Sequence, residues 1–155
     1  MNEKDGSEEK DVDSEEEDYE IYFMKLIESF LDKKYKLVAS ENFNEVMKVL
    51  GVGVDARRQG LEVCPEICLS KDGDYYVLLS TCSFLPGVEF DYITPDDRKV
   101  RSTITITGNV LTEVQVDENG KVTTIERIFT DSDVTVVCKV DDVDCTRVYR
   151  IQHEE

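Results

Sequence analysis

The residues with the most chemistry lie in CTRVYRI, positions 145 to 151. Strand alternation puts Cys145, Arg147, Tyr149 and Ile151 on one face and Thr146, Val148 and Arg150 on the other. If the first face is interior, the Arg147 guanidinium needs an anion, because an unpaired buried charge is costly. A planar fork of N–H donors beside a tyrosine hydroxyl suits a carboxylate, which accepts charge-assisted hydrogen bonds from both. A second arginine, Arg127, falls in VTTIERIF on the same alternating face as Thr123, Ile125 and Phe129, so the interior expected there is partly polar. Glu113 and Asp144 are carboxylates of the chain itself that offer Arg147 a surface pairing instead.

Other chemistry is sparse. The single histidine, His153, stands near the terminus, which leaves no Ser-His or Cys-His pair to build on a rigid element. Cys64 and Cys68 are four apart and Cys138 and Cys145 seven apart, but without histidine partners no zinc site is expected. GVGVD lacks the third glycine and the strand-to-helix setting of a dinucleotide loop. The expectation is a protein that is not an enzyme and carries no cofactor or metal.

The elements that would position the arginines follow from periodicity. YKLVAS reads as a strand; ENFNEVMKVLGVGVDARRQGL then changes period from two to about 3.6 and reads as two short helices. Asn42 is the expected cap of the first, with Glu45 reaching back to it, Phe43, Val46, Met47 and Leu50 as its buried face, and Gly51 and Gly53 at its end. From Glu66 onward, turn signals such as KDGD, TGNV, DENGK and VDDVD punctuate runs rich in Val, Ile, Thr and Tyr, the mark of a meander of antiparallel strands. One strand, a helix pair and then hairpin after hairpin is the order of a closed barrel, since closure removes exposed sheet edges. Polar inward positions make its interior a cavity.

Composition narrows the rest. The 155 residues suffice for one domain, and the net charge of −17 is concentrated at the start, where residues 1–18 carry ten carboxylates against Lys4 and Lys10. That segment is an expected disordered acidic tail. Tyr19, Tyr22, Phe23, Leu26, Ile27 and Phe30 follow at helical spacing, giving an expected amphipathic helix over 19–29 that packs on the domain, with partner or membrane binding as its other reading. The chain lacks the surplus of Lys and Arg that binding phosphate backbones requires, so no nucleic acid partner is expected. An acidic start, no apolar run of ~20 residues and five cysteines point to a cytosolic protein with reduced thiols.

YKLVASENFNEVMKVLGVGVDARR, ICLSKDGDYY, EFDYITPDDRKVRSTITI, GKVTTIER and CTRVY, in this order and spacing, resemble the intracellular fatty-acid-binding proteins, relatives of the cellular retinoid-binding proteins. The resemblance implies a mainly β fold: a ten-stranded antiparallel up-and-down β-barrel, lipocalin-like, with a helix-turn-helix lid, spanning residues 30–155. It implies a cytosolic carrier of long-chain fatty acids or related hydrophobic carboxylates. In the family a carboxylate binds an arginine and an Arg-x-Tyr pair, positions matched here by Arg127, Arg147 and Tyr149. Phe43, Met47, Val52, Ala56, Pro95 and Asp96 match pocket and portal positions, while Lys48, Arg57 and Arg58 match a lid surface that touches membranes and, in some members, carries a nuclear-localisation signal. The implied protein is monomeric, cytoplasmic, with the nucleus as a second compartment. Two alternatives stand beside this reading: a retinoid ligand, and an interaction module with a reduced cavity acting through the acidic tail.

The sequence departs from the family in four places. Tyr35 stands where a tryptophan is usual; STCSFLPGVEF is about five residues short, with Cys82 in place of an aromatic; VQVDENGK is one residue long; and the acidic tail and first helix are additions. A three-residue loop at Glu118-Asn119-Gly120 would turn Leu111, Glu113 and Gln115 inward, near Arg127, whereas a two-residue Asn119-Gly120 turn would turn Thr112 and Val114 inward. The first keeps the family register and is the expected one.

Overall fold

A computed structural model of the chain describes residues 26–62, 65–79 and 81–153. The expected acidic tail, residues 1–18, and most of the expected helix over 19–29 lie outside the described residues; what is described of that helix is one turn at 26–28, running into turns through residue 32. Ile27 and Phe30 from this entry segment are buried in the core with Tyr35, Leu69 and Phe129, and Phe129 meets the Tyr35 ring edge-on at 5.9 Å. Tyr35, the residue standing for the family tryptophan, is fully buried and donates its hydroxyl to the Thr130 carbonyl at 3.2 Å.

Ten strands follow: β1 Lys34–Glu41, β2 Glu66–Asp72, β3 Tyr75–Leu78, β4 Cys82–Phe84, β5 Phe90–Ile93, β6 Lys99–Thr107, β7 Val110–Asp117, β8 Val122–Phe129, β9 Asp133–Val140 and β10 Val143–Ile151. They form one sheet in the order β4-β3-β2-β1-β10-β9-β8-β7-β6-β5, every adjacent pair antiparallel. The sheet curls into a nearly closed barrel, with β4 and β5, neighbours in sequence, at its two free ends. The segment joining them is held to the wall by Gly87, whose N–H donates to the Ile104 carbonyl at 2.9 Å.

Turn chemistry fixes the register. Asp117 and Lys121 close a three-residue loop with Gly120 at φ +79°, a left-handed position that costs glycine nothing. Leu111, Glu113 and Gln115 are consequently buried and Val114 and Val116 exposed, as the family register requires. β3 and β4 are short, and Leu78 already pairs with Cys82.

The lid comprises α1, Phe43–Val49, and α2, Val54–Glu62. Asn42 corrects one expectation, since it takes φ 64° and makes no side-chain cap; its amide Nδ2 instead donates to the Asp144 carbonyl on β10 at 2.7 Å. Glu45 pairs with Lys48 rather than reaching back. At the other end Val52 N–H bonds the Met47 carbonyl and Gly51 N–H the Lys48 carbonyl, with Gly51 at φ +82°, a Schellman stop. α1 lies on β10 and β9; α2 touches α1 and buries none of its own residues.

Candidate ligand-binding site

Inside the barrel lies a cavity of about 520 Å³, within the range of small-molecule sites. Its walls come from α1, α2, the β5–β6 turn and the inward faces of β7 to β10. Phe43, Met47, Val52, Ala56, Pro95, Asp96, Arg127, Arg147 and Tyr149 all line this one space. A second concavity of about 650 Å³ runs along β5 to β7, but its charged walls, Asp91, Lys99, Arg101 and Glu118, are exposed.

Register explains how the arginines meet. Arg147 on β10 pairs with Val136 on β9, which pairs with Arg127 on β8. Both guanidiniums thus point inward from one row of the sheet, two strand spacings or roughly 10 Å apart. Their surroundings differ. Arg127 donates from Nη1 to Glu113 Oε1 at 2.7 Å. Glu113 is fully buried, and its Oε2 accepts from Ser102 Oγ at 2.7 Å and from Gln115 Nε2 at 2.8 Å. Gln115 Nε2 also donates to the Tyr92 hydroxyl at 3.1 Å. Burial pushes the Glu113 carboxyl up, yet the Arg127 guanidinium and the hydrogen bonds from Gln115, Arg127 and Ser102 outweigh it, so the group lies below its ordinary value and is ionised at neutral pH.

Arg147 has no such internal partner among the described residues. Its Nε is buried without a hydrogen bond. The guanidinium carbon sits 3.9 Å from the centroid of the Phe43 ring and 6.0 Å from that of Tyr149, so aromatic faces are its neighbours. Burial raises the Tyr149 hydroxyl pKa despite the pull of Arg147 and Arg127, keeping the phenol protonated as a donor. The pairing of Arg147 with Glu113 or Asp144 does not occur: Glu113 is taken by Arg127, and Asp144 lies exposed on the opposite face of β10. At the rim, Arg98 Nε bonds Asp96 Oδ2 at 2.5 Å, which leaves Asp96 charge-paired where it meets the cavity.

Lid and site are joined through Phe43. A Cβ on Gly60 of α2 would come within 3.3 Å of Met47 Sδ and 3.7 Å of Phe43 Cε1, so the absence of a side chain there lets α2 close over α1. Two polar residues, Ser102 and Tyr92, were not singled out by sequence reasoning. Strand alternation in KVRSTITIT carried the signal for Ser102, which shares its buried face with Val100 and Ile104. Tyr92 lies in a four-residue edge strand too short for alternation to orient it.

No family model matches the chain. Among curated proteins, fatty acid-binding protein 9 of Homo sapiens is 40% identical over 131 residues, covering 80% of this chain and 98% of that protein. The solved fatty-acid-binding protein from brain tissue of Drosophila melanogaster is 44% identical, covering 78% of this chain and 98% of its own, with a TM-score of 0.72. That of Schistosoma mansoni, solved in complex with arachidonic acid, is 33% identical over 82% of this chain and 98% of its own, with a TM-score of 0.73. Sequence and fold agree across essentially the whole length of these relatives, and the chain belongs to the fatty-acid-binding protein family.

Proposed function

We propose that the protein is a carrier that holds a long-chain fatty acid in its barrel, with the carboxylate bound by Arg147 and Tyr149. The observation that carries this is the buried Arg147 Nε without a hydrogen-bond partner, on a guanidinium that lines the cavity and lies over the Phe43 ring. A ligand carboxylate supplies the missing acceptor. Arg127 lines the same cavity, with Nη1 already bonded to Glu113. The acyl tail would run between Phe43, Met47, Val52, Ala56 and Pro95 toward the portal near Asp96. Burying about fifteen methylenes at roughly 0.8 kcal/mol each gives on the order of 12 kcal/mol before the costs of immobilisation, so the tail sets affinity and the head sets orientation.

The rest of the reading follows from the surface. The protein acts as a monomer in the cytosol, and in the nucleus as a second compartment, without nucleic acid partners or catalysis. It meets membranes transiently through the lid, where Lys48, Arg58, Val54 and Leu61 are exposed and Arg57 is half-buried. Replacing Arg147 with Gln tests the carboxylate assignment. Binding of hexadecanoate should weaken by roughly 1.5–3 kcal/mol, the value of a charged hydrogen bond, while its methyl ester changes little. Equal losses for acid and ester would refute it.

A further inference from the structure

We propose that Glu113 determines ligand specificity: by holding Arg127 in a buried ion pair it reserves Arg147 as the single anion-binding pole, so that the cavity takes amphiphiles with one carboxylate and disfavours a second. This rests on the carboxylate reading above. The geometry is specific to Glu113. Its carboxylate is fully buried and each oxygen is used, Oε1 by Arg127 and Oε2 by Ser102 and Gln115, so it is a fixed internal counter-anion.

The charges facing the cavity then sum simply. Arg127 and Glu113 cancel, Arg98 and Asp96 cancel at the rim, and Arg147 remains. In a low-dielectric interior an ion pair at hydrogen-bond distance offers little net field to a third charge several ångströms away, while the unpaired guanidinium of Arg147 offers its full field. A second ligand carboxylate near Arg127 would compete with Glu113, which has no other cation among the described residues, and would leave two buried carboxylates beside one arginine. The Glu113–Arg127 pole is therefore closed to anions, although Arg127 lines the same cavity as Arg147 and lies only two strands away.

The test compares hexadecanoate, its methyl ester and hexadecanedioate on the full chain and on Glu113→Gln, Arg147→Gln and the double variant Glu113→Gln/Arg147→Gln. Glutamine is close to glutamate in size and keeps an acceptor for Arg127. Freed Arg127 should tighten hexadecanoate by roughly tenfold in Glu113→Gln without changing the ester, and should narrow the gap between the monoacid and the diacid. In the double variant it should restore at least tenfold of the hexadecanoate binding that Arg147→Gln loses, because the carboxylate can move to Arg127. A folded Glu113→Gln that binds hexadecanoate no better, with no rescue in the double variant, overturns the proposal while leaving the carboxylate reading intact if Arg147→Gln alone still loses its preference for acid over ester. Full retention of that preference in Arg147→Gln overturns both. Should the glutamine variants fail to fold, arginine side-chain NMR on the unmodified chain decides the matter: titration with hexadecanoate, compared with the ester, should shift the Arg147 Nε–H resonance and leave that of Arg127 in place, and equal shifts would overturn the proposal.

Discussion

Cys138 and Cys145 face each other directly across β9 and β10. Their mutual interaction, and the nearby Arg147, lower the Cys145 pKa against the effect of burial, while the same interaction and burial push Cys138 up, so Cys145 is the readier thiolate. Directly paired strand residues stand about 4.5–5.5 Å apart at Cα, within disulfide range. With hydrogen peroxide as a two-electron oxidant the pair should close to one disulfide with loss of two protons and two electrons, seen as a single Cys138–Cys145 linkage in a non-reducing peptide map. Linkage of either cysteine elsewhere would contradict the register of this hairpin. Glu113 makes the second residue-scale prediction. Its carboxyl is depressed in the fold relative to the ordinary 4.5; the stability it contributes is therefore full above that value and lost as pH falls through the lower folded one. Acid denaturation followed by circular dichroism should show a shallower loss of stability below about pH 4 in Glu113→Gln than in the unmodified chain. Parallel acid limbs would show that the pair adds nothing to stability.

At the scale of elements, α1 is pinned at both ends. Asn42 ties its start to β10, and Lys121 from the β7–β8 turn donates to the Val49 carbonyl at 3.1 Å and to Asp141 at 3.2 Å, placing a cation at the C-terminal end of the helix. The Arg57 guanidinium of α2 donates to the Val52 carbonyl, a tie that stays within the lid. Replacing Lys121 with Met should speed amide exchange across α1 by about threefold to tenfold, the effect of losing about 1 kcal/mol of capping, and leave β2 and β3 unchanged. Unchanged exchange in α1 would mean that Asn42 and apolar packing hold it alone. The same scale shows what the sequence made legible. The hairpin meander was readable because each turn carries residues that need a left-handed or tight conformation, and those turns set the side-chain faces, including the inward Glu113. The Asn42 cap was misread because a capping box presumes an extended backbone at the cap, whereas Asn42 is left-handed and spends its amide on a strand 102 residues away. No local pattern encodes such a contact. The buried ion pair was half legible: the sequence placed Glu113 near Arg127, but the partnership, with Ser102 as a further donor, depends on three strands meeting in register.

For the whole molecule, charge of opposite sign is gathered in two regions. Residues 1–18 carry ten carboxylates, while the lid exposes Lys48 and Arg58 beside Val54 and Leu61. Each basic side chain near an anionic membrane gains about 1 kcal/mol, and an acidic segment in the same chain offsets that gain by repelling the membrane or by pairing with the lid. We expect the acidic segment to slow delivery of a fatty acid to membranes without changing affinity in the cavity, because the Arg147 site is lined by barrel and lid residues. The relatives described above match the chain over 78–82% of its length and nearly all of theirs, so a chain beginning at Asp18 retains what the family fold requires. Transfer of a fluorescent fatty acid from each form to anionic vesicles should be faster without the segment by about threefold or more at low salt, and the difference should fade as the Debye length shrinks from about 10 Å at 0.1 M toward about 3 Å at 1 M. Equal binding constants with unequal transfer rates would place the effect on collision with the membrane. Identical rates at low salt would exclude an electrostatic brake and leave the acidic segment to solubility or to a protein partner.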